Sequence, residues 1–525
     1  MKVVIAGGDV VDGTGTAAQP RDVFVEDGVI ADVRPASDEH ASWHVLDATG
    51  LTIAPGFIDV HSHADNVPFL EQDDTSKLLQ GITTEVIGNC GISAAPVNPA
   101  YRDELKRILD RLMPNASFSG WSYSEYLTEA DSRGYVTNYA PLVGHTTLRV
   151  AAMGAENRQA DASELAMMQS LLEEALDAGA FGFSSGLIYA PGAFANTDEL
   201  VSLAKCLRPN TLYTTHMRSE GALLLEAVDE ALEVGRRARV RVQISHHKAA
   251  GRENWGKTAD SLRAIATARA NGQDVHQDVY PYTAGSTMLV ALLPPEAHEG
   301  GDAAILRRLE DPEALGRFKA TIESDRSSFD NFIRMAGYEN ILISGTASGA
   351  FEGQTLREAA AQLGVSEFEA LVHILRTEQL RAAMIVFMMD EGDIKRVLSD
   401  PYTVVGTDGL PPGFGGKPHP RAFGTFPRVI AEYVRKHRVL SLEEAIRKMT
   451  SLSSDIFRIP DRGRVASGFI ADLVAFDASR ISDDLDYGDP VRPPVGIDWV
   501  MQQGDVVVKN GTYLGERRGK RLRPV

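Results

Sequence analysis

Two cysteines in 525 residues, Cys90 and Cys206, are too few for a disulfide framework, and that scarcity fits a reducing compartment. No apolar run approaches the length of a membrane span. The opening run, Val3-Val4-Ile5-Ala6, is far shorter than a secretory signal core, so a cytoplasmic protein with no membrane partner is expected. Basic residues are the minority: 53 Lys and Arg stand against 72 Asp and Glu, a net charge of −19 that argues against nucleic acid and anionic membrane as partners. The one basic cluster, Arg517 to Arg523, reads as a solvated tail or an interface strap. A P-loop, a dinucleotide fingerprint and a Gly-x-Ser-x-Gly nucleophile elbow are all missing.

What is present is a soluble globular composition, 43% hydrophobic and 24% charged, in a chain too long for one ordinary core. Residues 1 to about 54 read as short strands and turns, with Asp27-Gly28 as a hairpin turn between Asp22–Glu26 and Val29–Val33. The far end has the same texture at Ala471–Phe476 and Asp505–Gly511. The two termini are therefore expected to pair into one small β domain, 1–54 with 455–525. Between them, 55–454 alternates apolar strands with stretches of helical periodicity, the pattern of a parallel sheet. The number of units favours a closed (β/α)8 TIM-like barrel over an open doubly wound sheet. One span, about 286–340, breaks the rhythm between a strand ending near Tyr282 and the next at Asn340 to Ser344. A long insertion after a barrel strand lies over the active face, which makes it a candidate lid.

The chain is organised around Pro55-Gly56-Phe57-Ile58-Asp59-Val60-His61-Ser62-His63. In a strand, residues i and i+2 share a face, so His61 and His63 can offer two imidazoles to one point. Alone, such a pair is more often a satisfied strand end. Downstream, however, Cys90, His216, His246 and Asp408 each follow an apolar strand, and in a parallel barrel those C-terminal ends converge on one mouth. A thiolate and imidazoles gathered there suit zinc, which takes S and N donors and keeps a position open for water when catalytic. Asp408 is one more ligand or a base. His247 is read as facing away from His246, and His145 as support or a mouth residue.

These segments resemble the amidohydrolase superfamily and, more closely, the D-aminoacylase (N-acyl-D-amino-acid deacylase) family. The resemblance rests on the Pro55–His63 signature, Gly88-Asn89-Cys90-Gly91, Gly186–Gly192, Thr215-His216-Met217-Arg218, Ser245-His246-His247-Lys248, Asp278–Tyr282, Gly406–Gly409 and Pro418–Arg421 running into Gly424–Arg428. It implies a distorted barrel, a β-sandwich built from both termini and a small inserted domain. It also implies that Cys90, His216 and His246 hold one tightly bound zinc, with His61 and His63 forming a second, weaker position. Cys90 stands where many superfamily members have a carboxylated lysine or a glutamate. Asp408 is then the general base and acid for a metal-activated water. Arg421 is suited to clamp a substrate carboxylate, with Lys248, Tyr280, Ser286 and Tyr189 nearby. The implied activity is hydrolysis of the linear amide of small-molecule N-acyl-D-amino acids. The alternatives are a dipeptidase acting on L-Xaa-D-Xaa and a cyclic-amide hydrolase of hydantoinase or dihydroorotase type.

Overall fold

Strands with polar residues just past their C-terminal ends occupy the centre of the chain. The computed structural model describes residues 2–37, 40, 42–113, 122–324, 329–411 and 416–525. We number the central strands β1 (Phe57–Asp59), β2 (Ile82–Ile87), β3 (Asn138–Pro141), β4 (Val143–Gly144), β5 (Gly182–Gly186), β6 (Leu212–His216), β7 (Arg241–Ile244), β8 (Val275–Val279) and β9 (Thr403–Val405). All pairings among them are parallel. β1–β2–β3 form one run and β4–β5–β6–β7–β8–β9 the other, with only Leu142 between β3 and β4. Past β9, Asp408 N donates to His61 O at 2.8 Å and Ser62 bridges Gly409 in parallel, so the last strand's exit lies beside the first's. The arrangement is mixed α/β of TIM-barrel type.

Strand and helix alternate for local reasons. β2, β5, β6 and β8 are buried at every residue, as strands covered on both faces must be. Between β4 and β5, helix Ala162–Ala178 starts at Asp161, whose carboxylate accepts from the N–H of Ser163 and Glu164 while Glu164 reaches back. It stops at Gly179, in the left-handed region at φ 109°. Its inward stripe is Met168, Leu172, Ala175 and Leu176, which pack on Phe183 and Tyr213 of β5 and β6 in one apolar cluster. Truncating such a residue, Leu172→Ala for instance, costs about 2–5 kcal/mol.

Both chain ends contribute to one ten-stranded sheet. Thr52–Pro55 pairs antiparallel with Leu473–Phe476, while Lys2–Ala6 pairs with Gln19–Glu26. The expected hairpin is present: Gln19–Glu26 pairs with Val29–Pro35 through Asp27 at φ 49° and Gly28 at φ 84°, the two positive angles a tight hairpin turn needs.

The insertion extends beyond its expected boundary. Ile341–Thr346, read from sequence as the next strand of the main sheet, pairs antiparallel with Ala382–Phe387, which also pairs with Ala284–Met288. These three strands form a separate sheet, and the main sheet resumes only at β9. The Ile-Leu-Ile pattern specifies a strand but not its partner. Residues 325–328 of the span lie outside those described. Among the described residues, no helix is long and apolar enough to cross a membrane.

Candidate metal centre

β1 ends at Asp59, and the two histidines that follow turn into the mouth. His61 Nε2 lies 3.2 Å from Cys90 Sγ and 3.4 Å from Asp408 Oδ1, and His63 Nε2 lies 3.1 Å from the same oxygen. Cys90, after β2, is also 3.5 Å from His246 Nε2, after β7. His216, the last residue of β6, stacks edge-on against the His246 ring with centroids 4.3 Å apart. Ligand atoms of His61, Cys90, His246 and Asp408 fall within 4.8 Å of one another, as do those of His216, Glu220 and His246. Two donor sets thus share His246.

Three of these donors sit on unusual backbone. Cys90, His246 and Asp408 have φ of 52°, 34° and 50°, the left-handed region that side-chain-bearing residues avoid at a cost of about 1–3 kcal/mol each. Each is held there from outside. Asp408 N is fixed by His61 O, and His246 N donates to Asp278 Oδ1 at 2.8 Å. Cys90 is followed by Gly91, whose N–H reaches Ser184 Oγ at 2.9 Å. The carbonyl of Cys90 lies so close to β5 that a Cβ at Gly186 would come within 2.1 Å of it, so only glycine fits there.

A second layer orients the rings. Asp278 of β8 receives His61 Nδ1 at 3.2 Å, leaving Nε2 to face Cys90. Glu220 Oε1 stands 2.8 Å from His246 Nδ1 and is also bonded by Lys248 Nζ. Carboxylates of this kind fix the tautomer of a ligating histidine and raise its basicity. Glu220 is placed in turn by Asp330 of the insertion, which accepts its backbone N–H at 2.7 Å and the Ser219 hydroxyl at 2.6 Å. Below, Lys77 Nζ joins Asp59 Oδ2 at 2.6 Å, Glu85 Oε2 at 3.1 Å and Thr407 Oγ1 at 2.9 Å, tying the bases of β1, β2 and the Asp408 turn together.

The electrostatics suit a cation. Burial pushes the Cys90 thiol up, but the charges of His61 and His246 with hydrogen bonds from the histidines outweigh it and hold it well below its ordinary value. Burial likewise pushes Asp408 up, and Arg421, His61 and His246 bring it well below the carboxylate range. Burial lowers His216, keeping its imidazole neutral and its lone pair free. Both ring nitrogens of His216 are buried without a hydrogen-bond partner, as is Nδ1 of His63. A sulfur, several imidazoles and a carboxylate, with orphaned ring nitrogens on His216 and His63 among them, are a donor set that fits a metal such as zinc.

A narrow cleft, open to solvent, lies over these donors. Arg421 Nη1 lies 2.9 Å from Asp408 Oδ2, its Nη2 donates to the Ser286 carbonyl at 3.1 Å, and its guanidinium stacks 4.7 Å from the Tyr280 ring centre. Tyr189 lines the same space and is bonded to Thr287 Oγ1 at 2.9 Å. His61, His63, Cys90, His216, His246, Asp408, Arg421, Lys248, Tyr280, Tyr189 and Ser286 are therefore gathered around one mouth. His145 is not: it pairs with Glu199 at 2.8 Å, beside Arg149. His247 points away to Ser261 Oγ at 2.8 Å, as expected. Sequence reasoning missed Glu220, Asp278 and Asp330. The first lies four residues after His216 and the second begins a quoted motif, so both left a signal; Asp330 left none.

The family model described as "Amidohydrolase family" matches residues 44–508. The chain is 36% identical to a D-aminoacylase of Alcaligenes xylosoxydans xylosoxydans, covering 99% of this chain and 97% of the relative. It is 37% identical to an N-acyl-D-aspartate deacylase of the same organism, covering 99% and 95%. It is also similar to a solved N-acyl-D-glutamate deacylase from Bordetella bronchiseptica, complexed with zinc and a phosphonate inhibitor that mimics the tetrahedral intermediate. That match has a TM-score of 0.82 and 34% identity, and covers 100% of this chain and 99% of the other.

Proposed function

This chain belongs to the D-aminoacylase branch of the amidohydrolase family, and from that premise we propose that it hydrolyses N-acyl-D-amino acids to a carboxylic acid and a free D-amino acid. The observation that carries the reading is the meeting of Cys90, His61, His246 and Asp408 beside a His216 whose nitrogens lack partners. Cys90, His216 and His246 would hold a tightly bound zinc, with His61 and His63 as a weaker second position. When bound, zinc draws the pKa of a water toward neutrality and polarises the acyl carbonyl.

The chain's own residues do the rest. Arg421 binds the substrate carboxylate, with Tyr280, Ser286, Lys248 and Tyr189 as neighbouring donors, and so orients the amide over the donor cluster. Asp408, ionised and facing His61 and His63, accepts the proton of the attacking water and returns it to the leaving amine. The apolar wall of the cavity limits competing water. On the scale of the fold, 55–454 forms a closed (β/α)8 barrel with an insertion poised over its mouth as a lid. Residues 1–54 and 455–525 form a β-sandwich, and the protein works in the cytoplasm.

Turnover of N-acetyl-D- and N-acetyl-L-amino acid panels by zinc-loaded and chelator-treated protein tests the activity. Zinc-dependent release of D-amino acids alone is expected. Ring opening of hydantoins with no cleavage of any D-acyl amide would overturn it in favour of a cyclic-amide hydrolase.

A further inference from the structure

The segment Pro418-His419-Pro420-Arg421 carries a buried histidine that the chemistry above leaves unused. Its neighbours explain the polar ring. Helix Arg421–Arg428 begins after Pro420, a residue with no side-chain acceptor to cap it. The N–H of Ala422 is taken by the His419 carbonyl at 3.2 Å, and those of Phe423 and Gly424 by the Pro420 carbonyl at 2.9 and 3.0 Å. That leaves the N–H of Arg421, which donates to His419 Nδ1 at 3.0 Å. The other ring nitrogen, Nε2, donates to the carbonyl of Ala284 at 2.9 Å. With one nitrogen accepting and the other donating, the ring is neutral in a single tautomer. Burial and the Arg421 guanidinium hold its pKa well below the ordinary value, in agreement.

Ala284 belongs to the strand Ala284–Met288, which among the described residues pairs along one edge, with Ala382–Phe387. Residues two apart in a strand turn their carbonyls the same way. The carbonyl of Ala284 goes to His419 and that of Ser286 to Arg421 Nη2 at 3.1 Å, so the ring and the guanidinium grip successive positions of one strand edge. The ring itself is held from two sides. Tyr282 and Tyr487 both meet it edge-on with centroids 5.2 Å away, and Tyr282 is fixed in turn by Asp483 at 3.3 Å.

Resting on the deacylase reading above, we propose that His419 is the positioning residue for Arg421: by holding the Arg421 backbone in register with the strand edge that receives its guanidinium, it fixes where a substrate carboxylate is met. It acts through Arg421 and not on the reacting atoms.

The test is a double-mutant cycle on kcat and KM for the N-acetyl-D-amino acid that the zinc-loaded full chain turns over best, with circular dichroism reporting whether each variant is folded. His419→Phe keeps a ring between the two tyrosines and loses both hydrogen bonds, whereas His419→Asn keeps an acceptor for the Arg421 N–H. His419→Phe is expected to raise KM at least about tenfold with kcat changed by less than about threefold, and His419→Asn to recover most of that loss. In an Arg421→Lys background the same Phe change is expected to raise KM by less than about threefold, since no fork remains to be aimed. A KM within about twofold of wild type in folded His419→Phe overturns the proposal while leaving the deacylase reading standing. An equal effect in both backgrounds, the signature of a purely structural residue, overturns it in the same way. If His419→Phe does not fold, His419→Gln, whose amide reaches Ala284 but leaves the Arg421 N–H without its acceptor, carries the comparison under the same limits. Absence of turnover of every N-acetyl-D-amino acid by the wild type overturns the deacylase reading itself, and the proposal with it.

Discussion

Asp330 accepts the backbone N–H of Glu220 at 2.7 Å, so a residue of the insertion sets the position of the carboxylate that stands 2.8 Å behind His246. Supports of this kind influence metal affinity without touching the metal. Glu220→Gln is expected to weaken zinc binding by about 10–100-fold, and Asp330→Asn by less, as measured by competition with a chromogenic chelator. Unchanged affinity in Glu220→Gln would remove Glu220 from the site.

Removing the metal is expected to lower stability as well as activity, because an ion held only by the folded state stabilises it by mass action. The contribution is about 4 kcal/mol at a free concentration a thousand times Kd. Thermal melts with and without chelator read this directly. Cys90→Ser should show the chelator-treated Tm whether or not zinc is added, since hydroxyl is a poor substitute for thiolate.

Arg421→Lys keeps the charge and discards the fork. Loss of a charge-assisted pair is worth about 1.5–3 kcal/mol, or roughly 10–150-fold in kcat/KM. Because the lost contact holds the substrate before and during reaction, the expected change falls mainly on KM. A pure loss of kcat would mean that Arg421 acts through Asp408, its neighbour at 2.9 Å, instead.

Lys77 neutralises Asp59 and Glu85 in the interior. Lys77→Met leaves two buried carboxylates without a cation and should cost about 3–5 kcal/mol in urea unfolding. An effect below about 1 kcal/mol, the range of exposed pairs, would show that water reaches the cluster.

Glu199 gives the pH dependence. Burial pushes its carboxyl up, but hydrogen bonds and charge from His145 and Arg149 outweigh this and hold it below its ordinary value. A depressed carboxyl stabilises the fold above the unfolded value, about 4.3, and that contribution is lost as pH falls through the folded one. Wild type and Glu199→Gln should therefore differ by about 3–5 kcal/mol at pH 7, and the gap should shrink as pH falls below the unfolded value. A gap that stays constant across that range would assign the cost to shape alone.

Much of the centre is legible in the sequence because its donors follow strands. His61 and His63 share a face by the period of two, and Cys90, His216, His246 and Asp408 mark four strand ends whose convergence follows from parallel pairing. Asp330 was not legible, since its partner Ser219 is 111 residues away and no local pattern encodes that meeting. The strand Ile341–Thr346 was found but given the wrong neighbours, for the same reason: burial and β-branching select a strand, whereas its partners are chosen by the whole fold. The left-handed φ of Cys90, His246 and Asp408 was also invisible, because even Asp and His, which visit that region more often than most side chains, do so in too few cases for the residue type to signal it.

Thr52–Pro55 takes Leu473–Phe476 as its neighbour in the ten-stranded sheet. On a ribosome the earlier strand emerges long before the later one, with roughly 20–80 s of synthesis between them at typical elongation rates. Throughout that interval the N-terminal strands present an open edge, the surface on which foreign chains dock. The N-terminal strands thus wait with that edge open until Leu473–Phe476 has been made and pairs along it.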